Sequence, residues 1–149
     1  MSQTKLKKLQ KIAIETRQWA QDYAKKHNFD PESLGEMCAI VSAELSCRLQ
    51  KADFKKVTIC ETDCHCYILV KIKATDYLVD LTASQFSSWR PHKNSEKKIV
   101  IRPQTRFWPR PKKHYFWKNV VRTFKNAKDL LASQKATSWP KNQWVILPN

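Results

Sequence analysis

Three residues in this chain are of the types, and in the order, that a thiol nucleophile needs: Cys38, His65 and Asp80. A free thiol with a pKa of about 8.5 is only a few per cent thiolate at neutral pH. A neighbouring imidazolium stabilises the thiolate, and an acidic side chain behind the ring fixes its tautomer and orientation. Such a set attacks acyl carbonyls, meaning amides, isopeptides or thioesters.

These residues act together only if the surrounding elements bring them together. Leu9, Ile12, Ala13, Thr16, Trp19, Ala20 and Tyr23 fall within about one third of a helical wheel, which predicts an amphipathic helix over 4–27. The segment 30–37 (DPESLGEM) reads as a connector, and its Gly35, the only glycine, is expected to have a specific backbone task. A second, well-buried helix is predicted from Cys38 to Leu49, with Val41, Leu45 and Leu49 at core spacing. Cys38 then sits on the first helical turn, where backbone N–H groups and the helix dipole lower a thiol's pKa and where its own N–H is an oxyanion donor.

Three strands are predicted next: Lys56–Cys60, Cys64–Ile72 and Thr75–Leu81. The last two form a hairpin around a turn near Lys73–Ala74, with His65 opening the central strand and Asp80 near the end of its partner. Opposed residues in an antiparallel hairpin have numbers that sum to a constant. A four-residue turn at Lys71–Ala74 pairs Val70 with Thr75 and sets His65 opposite Asp80. A two-residue turn at Ala74–Thr75 shifts the register by four and separates them. Further on, Lys97–Arg102 reads as a strand and Trp117–Lys135 as a helix with Trp117, Val120, Val121, Phe124, Leu130 and Leu131 on one face. Pro103, Pro109 and Pro111 impose an extended path between them.

Three segments resemble motifs of transglutaminase-like and papain-like cysteine proteins. GEMCAIVSAEL (Gly35, Cys38, Ser42, Leu45) is similar to that superfamily's nucleophile helix. HCYILV, from His65, resembles its His strand, and YLVDLTASQF, from Tyr77 to Phe86, its Asp strand. The spacings of 27 and 15 residues suit a compact member, and the resemblance covers residues 34–86. It implies an α+β fold with N-terminal helices packed on a small antiparallel sheet. It also implies Cys38 as nucleophile, His65 as general base and acid, and Asp80 as orienter. The superfamily spans proteases, transglutaminases, deamidases, peptide N-glycanases and inactive members, so it does not choose a reaction. Gln85 and Trp89 are candidate substrate contacts.

Charge divides the chain. Residues 1–85 carry 13 basic and 11 acidic side chains; residues 86–149 carry 15 and 2. The rear is therefore suited to an anionic partner. Arg102, Arg106, Arg110, Lys112, Lys113 and Lys118, interleaved with aromatics, are candidate contacts to nucleic acid or another anion. The alternative function is a non-enzymatic nucleic-acid-binding protein on the same scaffold. A protein or peptide substrate, acidic in character, suits the enzyme reading.

The single glycine excludes Gly-rich phosphate loops, and no cofactor is expected. The cluster Cys60, Cys64, His65 and Cys66 invites a zinc reading. Strand alternation, however, puts His65 on the face opposite Cys64 and Cys66, so core thiols are expected and no metal. No apolar run is long enough to span a membrane, and the Lys-rich N-terminus lacks an apolar signal segment. With five cysteines, an odd number, this favours reduced thiols and a cytoplasmic setting. We expect one domain over 1–149, with 86–149 as a basic, aromatic-rich extension of it.

Overall fold

A computed structural model describes residues 2–86, 99–104 and 117–133. Among these, the chain is a mixed α+β fold. Helix α1 spans Ser2–Lys26 and α2 spans Cys38–Lys51; strands β1 (Val57–Glu61), β2 (Cys66–Ile72) and β3 (Thr75–Asp80) follow. A short 3-10 turn (Ala83–Gln85), β4 (Val100–Pro103), β5 (Arg122–Phe124) and α3 (Ala127–Ser133) complete it. The five strands form one sheet in the order β4-β3-β2-β1-β5, and every pairing is antiparallel.

Each helix ends for a local reason. Asn28 (φ 62°) and Asp53 (φ 71°) take the left-handed conformation just past α1 and α2. The N–H of Phe29 then donates to Ala24 O at 3.0 Å, and that of Phe54 to Leu49 O at 3.0 Å. This is the six-to-one closure that satisfies the last helical carbonyls, and short polar side chains tolerate the conformation it requires. Leu9, Ala13, Thr16, Ala20, Tyr23 and Ala24 form the buried stripe of α1. Helix α2 is buried on nearly all sides, as its low charge foretold.

Alternation sorts the central strand. Cys66, Ile68, Val70 and Ile72 join the main core with α2, whereas Tyr67 belongs to a second cluster on the other face with Cys60, Leu78, Val100 and Trp117.

The structure corrects several expectations. The hairpin turn falls at Lys73–Ala74 but has two residues rather than four, with Ile72 opposite Thr75, so paired numbers sum to 147. His65 stands just before β2 rather than within it. The helix expected over Trp117–Lys135 does not exist in that form. Trp117 lies in a tight turn, Arg122–Phe124 pairs with β1, and the helix is limited to Ala127–Ser133 among the described residues. The β-branched and aromatic run there favours a strand, and Asn126 starts the helix by accepting the Asp129 N–H at 2.8 Å. Val120 and Val121 are 43% and 54% exposed rather than core.

Gly35 has no positive φ, and a Cβ there would meet only Ser33 Oγ at an ordinary 3.5 Å. The left-handed positions in that loop belong to Leu34 (φ 55°) and Glu36 (φ 67°) instead.

Candidate active site

The three residues of interest arrive from three directions. Cys38 is the first residue of α2 and is half-buried. His65 ends the β1–β2 connection, held there by the Thr62 N–H, which donates to His65 O at 2.8 Å. Asp80 is the last residue of β3. With paired numbers summing to 147, Asp80 lies opposite Tyr67 and diagonal to His65 on the same face of the sheet. The pair meets in spite of the shifted register: His65 Nε2 and Asp80 Oδ2 are 2.6 Å apart, with both side chains fully buried.

Asp80 is supplied with donors. Trp117 Nε1 donates to Oδ2 at 2.6 Å, and the Thr82 N–H donates to Oδ1 at 2.8 Å. An indole nitrogen only donates, so Oδ2 accepts there, a role that an ionised carboxylate fills well. Burial on its own would raise the Asp80 pKa, but His65, Trp117 and Thr82 together hold it below the usual carboxylate value. Burial likewise works against the His65 imidazolium, yet Asp80 and the Cys38 sulfur raise its pKa to about 10.

Cys38 is the counterpart. Its thiol lies well below the ordinary value, first because the Cys66 thiol hydrogen-bonds it, and then because His65 hydrogen-bonds and attracts the thiolate, against the opposing effect of burial. Since Asp80 holds Nε2, Nδ1 is the nitrogen left for the sulfur. The two directions, thiol lowered and imidazole raised, favour a thiolate–imidazolium pair over a neutral one.

Other side chains frame the pair. Gln85 Nε2 lies 3.5 Å from His65 Nδ1 and donates to Thr82 Oγ1 at 3.2 Å, while Gln85 Oε1 accepts the Glu36 N–H at 3.3 Å. This candidate substrate contact therefore stands between the loop before Cys38 and the imidazole. Phe86 meets the His65 ring edge-on at 4.8 Å. The cap residue of α2, Met37, makes no side-chain hydrogen bond to the helix, so its own side chain leaves the first-turn N–H groups uncapped.

Arg17 ties the two sides of the site together. It is 3% exposed; Nη1 donates to Leu81 O, one residue after Asp80, and Nη2 to Glu32 O at 2.7 Å, in the loop leading to Cys38.

Sequence reasoning missed four participants. Arg17 sits on the buried face of α1, four residues after Ala13 and three before Ala20, and a charge on an apolar stripe was the available signal. Trp117 was taken for a helix-face core residue. Thr82 was not singled out, and Cys66 was read only as a core thiol. Cys60 and Cys66 are buried, but Cys64 is exposed, contrary to its expected core position. All five cysteines are free thiols.

Two of the remaining candidates lie among the described residues. Arg102 is half-buried in β4, and Lys118 is half-buried directly after Trp117. Trp89, Arg106, Arg110, Lys112 and Lys113 lie outside the described residues. Among the described residues, no group of three or more His, Cys, Asp or Glu side chains is placed to hold a metal ion, and no helix is long and apolar enough to cross a membrane. A cavity of about 400 Å³ lies at the far end of β2, lined by Lys5, Lys55, Lys56, Lys71 and Lys73 with Asp53, Phe54 and Ile72; the Asp53 carboxylate pairs with Lys55 Nζ at 2.6 Å.

No protein-family model, curated protein or solved structure matches this chain.

Proposed function

We propose that the protein is a cysteine-dependent acyl-bond enzyme of transglutaminase-like or papain-like type, in which Cys38, His65 and Asp80 act as nucleophile, acid–base and orienter. The observation that carries this reading is the buried 2.6 Å contact between His65 and Asp80, near a cysteine that opens a helix and whose thiol His65 helps to hold below its ordinary value. A core histidine serving packing alone has no need of a fully solvated-out carboxylate partner and a lowered thiol together.

The chemistry follows from the placement. The Cys38 sulfur attacks the acyl carbon, and the carbonyl electrons move to oxygen. The Cys38 N–H donates to that developing oxyanion, a contact worth about 3–4 kcal/mol where such donors have been removed. The Gln85 amide, beside Nδ1, is the second group positioned to meet the carbonyl. The His65 imidazolium protonates the leaving amine or thiol, and the neutral ring then activates water or an amine to release the acyl group. Asp80 keeps the Nε2 proton in place throughout, as Trp117 and Thr82 keep Asp80 ionised.

Turnover of a library of peptide amides and peptide thioesters tests the reading. Wild-type protein is expected to release product with a transient acyl group on Cys38, visible by intact mass, and a folded Cys38→Ala variant is expected to be inert. Equal turnover by Cys38→Ala rejects it.

Anion binding without catalysis is the second reading, and the five-lysine cavity supports it. Anion binding itself does not compete with catalysis, because the cavity and the thiol occupy opposite ends of β2, roughly 20 Å of strand apart at about 3.4 Å per residue; the readings part only on whether Cys38 turns over substrate.

A further inference from the structure

The far end of the sheet carries a cavity that the acyl chemistry does not use. Its volume of about 400 Å³ falls within the range of small-molecule pockets. Four separate segments supply its lysines: Lys5 from α1, Lys55 and Lys56 from the α2–β1 connection, Lys71 from β2 and Lys73 from the β2–β3 turn. Phe54 and Ile72, both buried, add apolar lining.

The chain does not balance this charge itself. Asp53 is engaged by Lys55 Nζ at 2.6 Å, and Asp76 lies 3.8 Å from Lys71 Nζ. Lys5 Nζ donates to Asp53 O at 3.3 Å and sits 4.5 Å from the centre of the Phe54 ring. Among the described residues, the exposed side chains of Lys56 and Lys73 make no ion pair or hydrogen bond.

The placement of these two cations works against local stability. The Lys71 N–H donates to Lys56 O at 3.0 Å, one step beyond the Val57–Val70 pair, so the two lysines stand directly opposite each other on adjacent strands. Like charges so placed repel, and an anion between them turns the repulsion into attraction. Lys73 takes the left-handed conformation (φ 56°) in a two-residue hairpin turn, where Gly, Asn or Asp is the usual choice. Each position holds a cation where the local structure favours another residue.

We propose that this cavity binds a small organic phosphate ester, with the phosphate oxygens held by Lys56, Lys71 and Lys73 and the ester's apolar group laid against the Phe54 and Ile72 lining. The inference rests on the anion-binding reading and names its ligand class. Lysine ammonium groups are compact point charges with three donors each, suited to a multiply charged phosphate. A lone carboxylate is better matched by the arginine fork, and no arginine lines the cavity. A wholly polar anion leaves the apolar lining unused, and a neutral apolar ligand leaves the cations unmatched. A nucleotide and the phosphorylated headgroup of a lipid share this chemistry.

The experiment titrates the full chain calorimetrically with ADP and with inorganic pyrophosphate, and floats it with phosphatidylcholine vesicles containing or lacking phosphatidylinositol bisphosphate. Saturable binding of ADP, tighter than that of pyrophosphate by at least about tenfold, assigns a nucleotide-type ligand. Binding confined to the phosphorylated vesicles assigns a lipid headgroup. Lys56→Gln/Lys73→Asn relieves the repulsion and puts Asn in the left-handed turn position, so it is expected to melt no lower than wild type. The same variant is expected to lose at least about tenfold in affinity for the probe that binds. Lys25→Gln/Lys26→Gln removes equal charge at the other end of α1, outside the cavity lining, and is expected to bind as wild type does. Equal weakening by both variants, or pyrophosphate bound as tightly as ADP with no preference between vesicles, overturns the inference and leaves general anion binding standing. Absence of both ADP and vesicle binding also overturns it. If single-stranded RNA then fails to bind at low salt as well, the anion-binding reading falls with it.

Discussion

Three residues, His65, Trp117 and Thr82, surround the Asp80 carboxylate with donors, and Asp80 and His65 set opposite pH limits. The Asp80 pKa is held low in the folded chain, so its contribution to stability is present above the unfolded value of about 3.9 and is lost as the pH falls. His65 is raised to about 10, so its contribution is full below the unfolded value of about 6.5 and is lost as the pH rises through about 10. Trp117→Phe removes one donor without removing the ring. The expected result is a loss of about 1–3 kcal/mol at neutral pH and a shallower acid limb, read by urea unfolding across pH. An unchanged acid limb means that the indole does not hold the carboxylate. His65→Asn is expected to return Cys38 toward ordinary thiol behaviour and to slow its alkylation at neutral pH by at least about tenfold, the factor set by one pKa unit. That His65 and Asp80 meet was legible in the sequence, because a thiol, an imidazole and a carboxylate in that order are the types such chemistry would need. Trp117 was not, because an indole among apolar neighbours reads as core until its N–H finds a partner.

At the scale of elements, the site depends on how α2 begins. The loop before it holds Leu34 and Glu36 in left-handed backbone, which costs non-glycine residues roughly 1–2 kcal/mol each. Arg17 anchors that loop to the strand end beyond Asp80 through two carbonyls. Lysine has one nitrogen and lacks the fork needed to serve both. Arg17→Lys is therefore expected to cost about 1–3 kcal/mol and to slow Cys38 alkylation as the helix tip loosens; stability lost with alkylation unchanged confines Arg17 to folding. Asn126→Ala removes the cap of α3 and is expected to cost about 1 kcal/mol without touching the thiol, which makes it a control for general destabilisation.

The helices α1 and α2 and the three strands β1–β3 were readable within a residue or two, because each has a sustained period and clear end signals. The hairpin register was not, since it turns on whether two or four residues make the bend. The His65–Asp80 pair survived only because diagonal neighbours on one face also meet. The segment after Trp117 was misread because Val120, Val121 and Phe124 match a helical spacing as well as a short edge strand.

Over the whole molecule, charge is the outstanding property: a formal +15, most of it in residues 86–149, and a lysine-lined cavity far from the thiol. Net charge argues about partners and not about fold. Anion recognition and thiol chemistry should then be separable. Binding of a single-stranded RNA oligonucleotide is expected to weaken with salt, with a log–log slope of about −0.7 per phosphate contacted, and to be the same for Cys38→Ala and wild type. Binding that is absent at low salt removes nucleic acid as a partner.

The central claim is that the sulfur at the tip of α2 rests as a thiolate. The most direct measurement is the rate of iodoacetamide alkylation at each cysteine of the folded protein as a function of pH, assigned by peptide mass mapping. The expected result is that Cys38 reacts first and that its rate is already level at neutral pH. A Cys38 rate that climbs through the ordinary thiol range of about 8.5, in step with exposed Cys64, contradicts the account.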